Sequence, residues 1–156
     1  ALFSLCPPVV WFATMKQIVN DMKRWRLLSA YFYPGPWSGV RLEYFPKDWR
    51  GYKYLKFYLF NPGNKTISIE ILIQDALNGQ KGDKRFNDLC AWNVSVYPGS
   101  WTAVQVPLEE IHNIANSRGV DLARMTGIGF YVDNITELRS LYLDTVSLEK
   151  ADMQIR

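Results

Sequence analysis

The stretch Asp48-Trp49-Arg50-Gly51-Tyr52-Lys53-Tyr54-Leu55-Lys56-Phe57-Tyr58-Leu59-Phe60-Asn61 decides the fold. Its second half alternates with a period of two, the repeat of a β-strand. Leu55, Phe57 and Leu59 fall on one side; Tyr54, Lys56, Tyr58 and Phe60 fall on the other. A strand in a sandwich needs only one apolar face to pack. The second face here mixes rings with a cation, which asks for a reason of its own.

The same alternation continues downstream. Asn61-Pro62-Gly63-Asn64 closes the strand as a turn. Residues 66–74 place Ile67, Ile69, Ile71 and Ile73 on one face and Ser68, Glu70, Leu72 and Gln74 on the other. After a polar loop at 75–88, residues 91–97 and 102–106 form two strands joined by Pro98-Gly99-Ser100. Residues 107–118 carry a short helical pattern that Gly119 would close at the C′ position. Residues 128–132 and 141–148 are the last strands, and residues 40–45 alternate upstream of Asp48. Strands of even length with turn signals at regular spacing predict an all-β chain folded as a β-sandwich. A jelly roll is the expected type, since no Cys…Trp…Cys spacing of the immunoglobulin kind occurs.

The beginning of the chain reads differently. Residues 1–15 contain no charged side chain. They fall short of the ~20 residues that cross a bilayer, and Pro7-Pro8 would break a helix in water. A signal-peptide remnant, the tail of a membrane helix and a strand or cover packed on the domain all fit. The start at Ala1 fits a processed chain or a piece of a longer one. Thr14 and Gln17 then have capping-box form, and Met15, Ile18, Val19, Met22 and Trp25 recur at helical spacing, predicting a short amphipathic helix over about 15–28. Residues 33–39, Tyr-Pro-Gly-Pro-Trp-Ser-Gly, read as a loop. The expected organisation is therefore an N-terminal segment, 1–30, followed by one sandwich domain, 31–156.

Composition narrows the function. At 156 residues the chain can bury a core without metal or disulfides. Its net charge of +3 is mild, with both signs interspersed, which argues against a nucleic-acid partner. Cys6 and Cys90 have no metal-ligand spacing and are expected as small buried thiols, with a disulfide between them as the alternative. No nucleophile elbow, P-loop or dinucleotide fingerprint is present. The single histidine, His112, lies on the predicted helix after Glu109, without the second Glu-x-x-His copy of a di-metal site.

Parity supplies a candidate face. Opposite the core positions lie Arg41 and Glu43, Lys56 and Tyr58, Glu70 and Gln74, Asn93 and Ser95, and Tyr131 and Asp133. On one sheet they would tile a surface with hydrogen-bonding groups and two rings. Arg, carboxylates and amides bond to vicinal hydroxyls, and a Tyr ring stacks on a pyranose C–H face. The bland alternative is the solvated face of an antiparallel sheet. From the loop at 75–88, Asp75, Arg85 and Asn87 are further candidates, with an Arg85–Asp75 pair that pins the loop as the structural alternative. Trp37 is the expected exposed stacking ring. Trp49 and Trp101, beside turns, are expected as packing anchors, and Trp92 as core.

An ordered series of fragments carries a resemblance: Asp48-Trp49-Arg50-Gly51-Tyr52, Phe57-Tyr58-Leu59-Phe60-Asn61-Pro62, Ile73-Gln74-Asp75, Arg85-Phe86-Asn87, Tyr97-Pro98-Gly99-Ser100-Trp101 with Val106-Pro107-Leu108, Asp121-Leu122-Ala123-Arg124 and Leu141-Tyr142-Leu143-Asp144. Over about residues 40–150 the chain resembles a carbohydrate-binding-module-like jelly roll of the galactose-binding-domain type. It is also similar to the soluble C-terminal domain of some VanZ-like membrane proteins. The resemblance implies a non-catalytic module that binds a glycan or cell-envelope saccharide, outside the cytoplasm, with membrane attachment through the N-terminal segment. A structural or protein–protein module of a membrane-anchored envelope protein is the alternative. No cofactor is required, though such modules often hold a structural calcium through an Asp on the last strand, where Asp144 stands. Asp21 and Glu43 are candidate partners for that ion, and a hydrogen-bonded bulge residue is the competing role for Asp144. The segment before Asp48 is short for such modules, so an early strand is expected to be missing or replaced by the helix.

Overall fold

The computed structural model describes residues 13–15, 24–25, 28–42, 45–77, 90–114 and 119–150. Ten strands and one helix lie among them: β1 (Ala13–Met15), β2 (Arg24–Trp25), β3 (Leu28–Phe32), β4 (Gly35–Leu42), β5 (Tyr54–Phe60), β6 (Ile67–Asp75), β7 (Cys90–Val96), β8 (Trp101–Pro107), α1 (Leu108–Ile114), β9 (Met125–Ile135) and β10 (Arg139–Glu149). One sheet runs β1-β3-β10-β5-β8, with β2 also on β10; the other runs β4-β9-β6-β7. All these pairings are antiparallel.

The strands from β3 onward pair as one long hairpin rolled up on itself: β3 with β10, β4 with β9, β5 with β8 and β6 with β7. Lateral pairing of β5 with β10 and of β6 with β9 then closes each sheet. That is the jelly-roll connection expected from the sequence, and the fold is an all-β sandwich.

The core lies where the alternation puts it. Leu55, Phe57 and Leu59 of β5 and Ile67, Ile69, Ile71 and Ile73 of β6 are buried between the sheets. Phe57 and Phe130 meet edge to face across the core, centroids 5.4 Å apart at 89°. Such a pair adds about 0.5–1.5 kcal/mol beyond the area it buries. Trp49 is buried as expected, its indole N–H donating to the Pro46 carbonyl at 2.6 Å. Trp92 packs partly buried against the core.

The first part of the chain departs from expectation. Met15, Arg24, Trp25 and Leu28, all within the predicted helix, lie in strands; residues 16–23 are outside the described ones. Among the described residues four strands, β1 to β4, precede Asp48. The predicted loop at 33–39 is largely strand β4, despite Pro36. β4 is the edge of its sheet, bonded only to β9, and an edge strand tolerates a residue without an N–H. The helix after β8 is described over Leu108–Ile114, residues 115–118 lie outside the described ones, and Gly119 has a left-handed φ of 68°.

Asn61 ties the turns at one end together. Fully buried, it donates from Nδ2 to the carbonyls of Lys65 at 2.8 Å and Val96 at 3.0 Å, while its Oδ1 accepts from Gly63 N at 2.9 Å. Its own carbonyl accepts from Gly99 N at 2.8 Å. One side chain thus braces both the Asn61-Pro62-Gly63-Asn64 turn and the β7–β8 hairpin.

Candidate functional site

The outward face of the β4-β9-β6-β7 sheet follows from the register. Trp37 pairs with Asp133; Gly39 pairs with Tyr131, Tyr131 with Glu70, and Glu70 with Asn93. In the next outward row, Arg41 pairs with Gly129, Gly129 with Leu72, and Leu72 with Ala91. Gln74 pairs with Gly127 beyond it. The sheet therefore brings together Trp37, Arg41, Gln74, Tyr131 and Asp133 of the expected site, with Glu70, Asn93 and Ser95 of the same parity.

Two rings stand on this polar face. Trp37 is 43% exposed and meets half-buried Tyr131 edge to face, centroids 5.6 Å apart at 72°. Beside them a cleft of about 410 Å³ is lined by Ser68, Glu70, Asn93, Tyr131, Asp133 and the β9–β10 turn. At its end Glu137 accepts from Lys65 Nζ at 2.9 Å and from Arg139 Nη2 at 3.1 Å. The hydrogen bond from Lys65, then the charges of Lys65 and Arg139, hold the Glu137 carboxyl below its ordinary range. Asp133 accepts from Asn134 Nδ2 at 2.8 Å, and Asn134 sits at a positive φ of 50° in the strand.

Glycine shapes the floor. A Cβ on Gly127 would lie 2.7 Å from Arg41 Nε, so the Arg41 side chain lies across β9 in space that only glycine leaves. Arg41 Nη2 also donates to Thr126 Oγ1 at 3.4 Å. The sequence pattern assigns Gly39 to the loop at 33–39 and gives Gly127 and Gly129 no role. Their signal was there: glycine inside a strand pattern marks a place where something approaches the backbone closely.

Other expected site residues are elsewhere. Tyr58, 45% exposed, is on β5 and faces outward from the opposite sheet, so it does not share a surface with Tyr131. Alternation fixes a side chain's face but not which sheet its strand joins. Asp75 is 2% exposed: its Oδ1 accepts from Leu77 N at 2.9 Å and its Oδ2 from Asp121 N at 2.7 Å. It continues the phase of Ile67 to Ile73 and points inward, so its carboxylate holds the loop after α1 instead of facing a ligand. Glu43, Arg85 and Asn87 lie outside the described residues, as does the proposed Arg85–Asp75 pair.

Asp144 accepts from Thr145 N at 2.7 Å where the β10–β5 register shifts, with Thr145 at a φ of 50°. That is a bulge residue's role. Among the described residues no group of three or more His, Cys, Asp or Glu is arranged to hold a metal ion, and Asp21 and Glu43 lie outside them.

The opposite sheet's outer face carries a row of rings. Phe60 stacks on Tyr142, centroids 5.9 Å apart at 8°, and touches Trp101 at 5.2 Å. Trp101 is 50% exposed, not the buried anchor expected from its turn. Among the described residues, no helix is long and apolar enough to cross a membrane.

No family model and no curated protein sequence matches the chain. Solved structures do. A family 11 carbohydrate-binding module from Clostridium thermocellum, in complex with a β-1,3-1,4-mixed-linked tetrasaccharide, is similar with a TM-score of 0.59 at 17% identity, over 80% of this chain and 75% of that one. The family 11 module of the cellulosomal cellulase Lic26A-Cel5E of the same organism gives a TM-score of 0.54 at 16% identity, over 80% and 74%. An exo-β-agarase matches with a TM-score of 0.60 at 14% identity, over 82% of this chain but 20% of its own. The chain thus spans about a fifth of the agarase and most of the binding modules, and at these identities what is shared is the jelly-roll fold of carbohydrate-binding modules.

Proposed function

We propose that this domain is a non-catalytic carbohydrate-binding module and that it takes a glycan chain on the outer face of the β4-β9-β6-β7 sheet. The observation that carries the reading is the Trp37–Tyr131 ring pair, set among Glu70, Asn93, Asp133 and Arg41 on one sheet face. A solvated sheet face is polar by default. Two adjoining rings beside a cleft are not needed for that, and they match a sugar's apolar C–H face while the polar groups match its hydroxyls. The fold shared with saccharide-binding modules supports the same reading. The setting we propose is the cell envelope, with attachment through the uncharged residues 1–15.

A glycan-array screen of the purified domain tests the reading, followed by calorimetry on the best ligand and its recovery after incubation. Binding, with the sugar recovered uncut, is the expected result. A folded domain that binds no glycan sinks it. A cut sugar would make the protein an enzyme.

A second reading has its own observation: on the other sheet, half-buried Tyr142 and Phe60 form a row of rings with exposed Trp101, and exposed Tyr31 and Tyr58 share that sheet. Such a surface suits a protein partner of the envelope, and it is the reading left if no sugar binds.

A further inference from the structure

We infer that Gly39 and Gly129 are positioning residues for this face: having no side chains, they let the Tyr131 ring lie down on the sheet as the floor of the site. The inference rests on the saccharide reading above and adds the device that orients the ring. Gly39 lies directly across from Tyr131 on β4, and Gly129 lies two residues before it on β9, so both share its outward face. A Cβ on Gly39 would lie 2.2 Å from Tyr131 Cδ1 and 2.7 Å from Cε1. A Cβ on Gly129 would lie 2.3 Å from Cε2 and 3.2 Å from Cδ2. These are the two opposite edges of one ring. Both edges rest where a first side-chain carbon would stand, so the ring plane runs along the sheet and its other face points outward. That is the orientation in which a ring stacks on a pyranose, and Trp37, inclined at 72°, stands beside it as a wall.

Side chains at either glycine would push the ring upright. The two sites differ in a useful way. At Gly129 the three atoms nearest an added Cβ all belong to the Tyr131 side chain, whereas at Gly39 the second nearest is the Phe130 carbonyl oxygen at 2.6 Å. Gly129→Ala therefore moves the ring with the backbone spared, and Gly39→Ala adds a backbone cost.

The test has two arms. Calorimetry with the β-1,3-1,4-mixed-linked tetrasaccharide, or the best array ligand, should show Gly129→Ala weakened about tenfold or more at an unchanged melting temperature. Wild-type affinity in that variant overturns the inference. The second arm needs no ligand. In the wild-type protein the Tyr131 ring should shield the α-protons of Gly39 and Gly129 in NMR spectra, and Tyr131→Leu should remove the shielding. Glycine signals that do not respond to Tyr131→Leu overturn the inference whatever binds, and this arm decides also if Gly129→Ala fails to fold. Shielded glycines in a protein that binds no sugar would leave the ring's placement intact and bring down the saccharide reading, and with it the role in binding.

Discussion

Trp37 and Tyr131 belong to neighbouring strands, β4 and β9, and meet edge to face at 5.6 Å on the polar side of their sheet. Trp37 pairs in register with Asp133, and Tyr131 with Gly39, so the contact is diagonal, which aromatic side chains can reach. Neither ring belongs to the core cluster. Removing either one should therefore change the surface and spare the fold.

Tyr131→Ala and Trp37→Ala are each expected to weaken glycan binding about tenfold or more, about 1.4 kcal/mol, with the melting temperature little changed. Tyr58→Ala, on the opposite sheet, should leave binding as it was. Calorimetry on the three variants checks this. A loss confined to Tyr58→Ala would move the site to the other sheet.

The sandwich was legible because burial on one face imposes a period of two, and β5, β6, β7 and β8 display it residue by residue. The N-terminal strands were not. β1 and β2 are three and two residues long, too short for alternation to show, and Met15, Ile18, Val19, Met22 and Trp25 happen to fit a helical stripe. β4 was hidden because Pro36 and Gly35 carry turn chemistry, and only its place at the edge of a sheet allows them. On the outer face of the β4-β9-β6-β7 sheet, parity grouped Arg41, Glu70, Gln74, Asn93, Tyr131 and Asp133. It could not tell that Tyr58 belongs to the other sheet, because sheet membership is a long-range property. The glycine floor was missed because residues without side chains do not look like a site.

Asn61 should be among the costliest polar residues to lose. Asn61→Ala leaves the Lys65 and Val96 carbonyls without their amide donor and opens a gap between two turns. Each buried group so orphaned costs about 1–3 kcal/mol. A loss of about 2–4 kcal/mol in urea denaturation is expected, with an unchanged m-value. A loss within 0.5 kcal/mol, the usual size of a surface substitution, would contradict the bracing role.

Acid should remove one local contribution to stability in a defined range. The hydrogen bonds from Arg50, side chain first and backbone second, lower the Asp48 pKa from 3.8 to about 2. The folded state thus favours the carboxylate. Its contribution is complete above 3.8 and disappears as the pH falls through about 2. The pair is exposed, so the effect on global stability is small. The direct check is an NMR titration of the Asp48 carboxyl: a midpoint near 2, moving up towards 3.8 in Arg50→Gln, is expected. An Asp48 midpoint that Arg50→Gln leaves in place would show that the pair is not formed in solution.

Asp75 separates stability from binding. Its two carboxylate oxygens each accept a backbone N–H, from Leu77 and from Asp121, while the side chain is buried beneath the β4-β9-β6-β7 sheet. Hydrogen bonds to a charged acceptor are worth about 1.5–3 kcal/mol each. Asp75→Ala should therefore destabilise the domain by about 2–4 kcal/mol, since exposing the freed N–H groups to water recovers part of the loss. Asp75→Asn keeps one acceptor oxygen and should cost less. Below the melting temperature of each variant, affinity for the glycan should match wild type, because the carboxylate points into the sandwich while Tyr131 and Trp37 stand on the outward face of the sheet. A variant as stable as wild type but unable to bind would return Asp75 to the ligand.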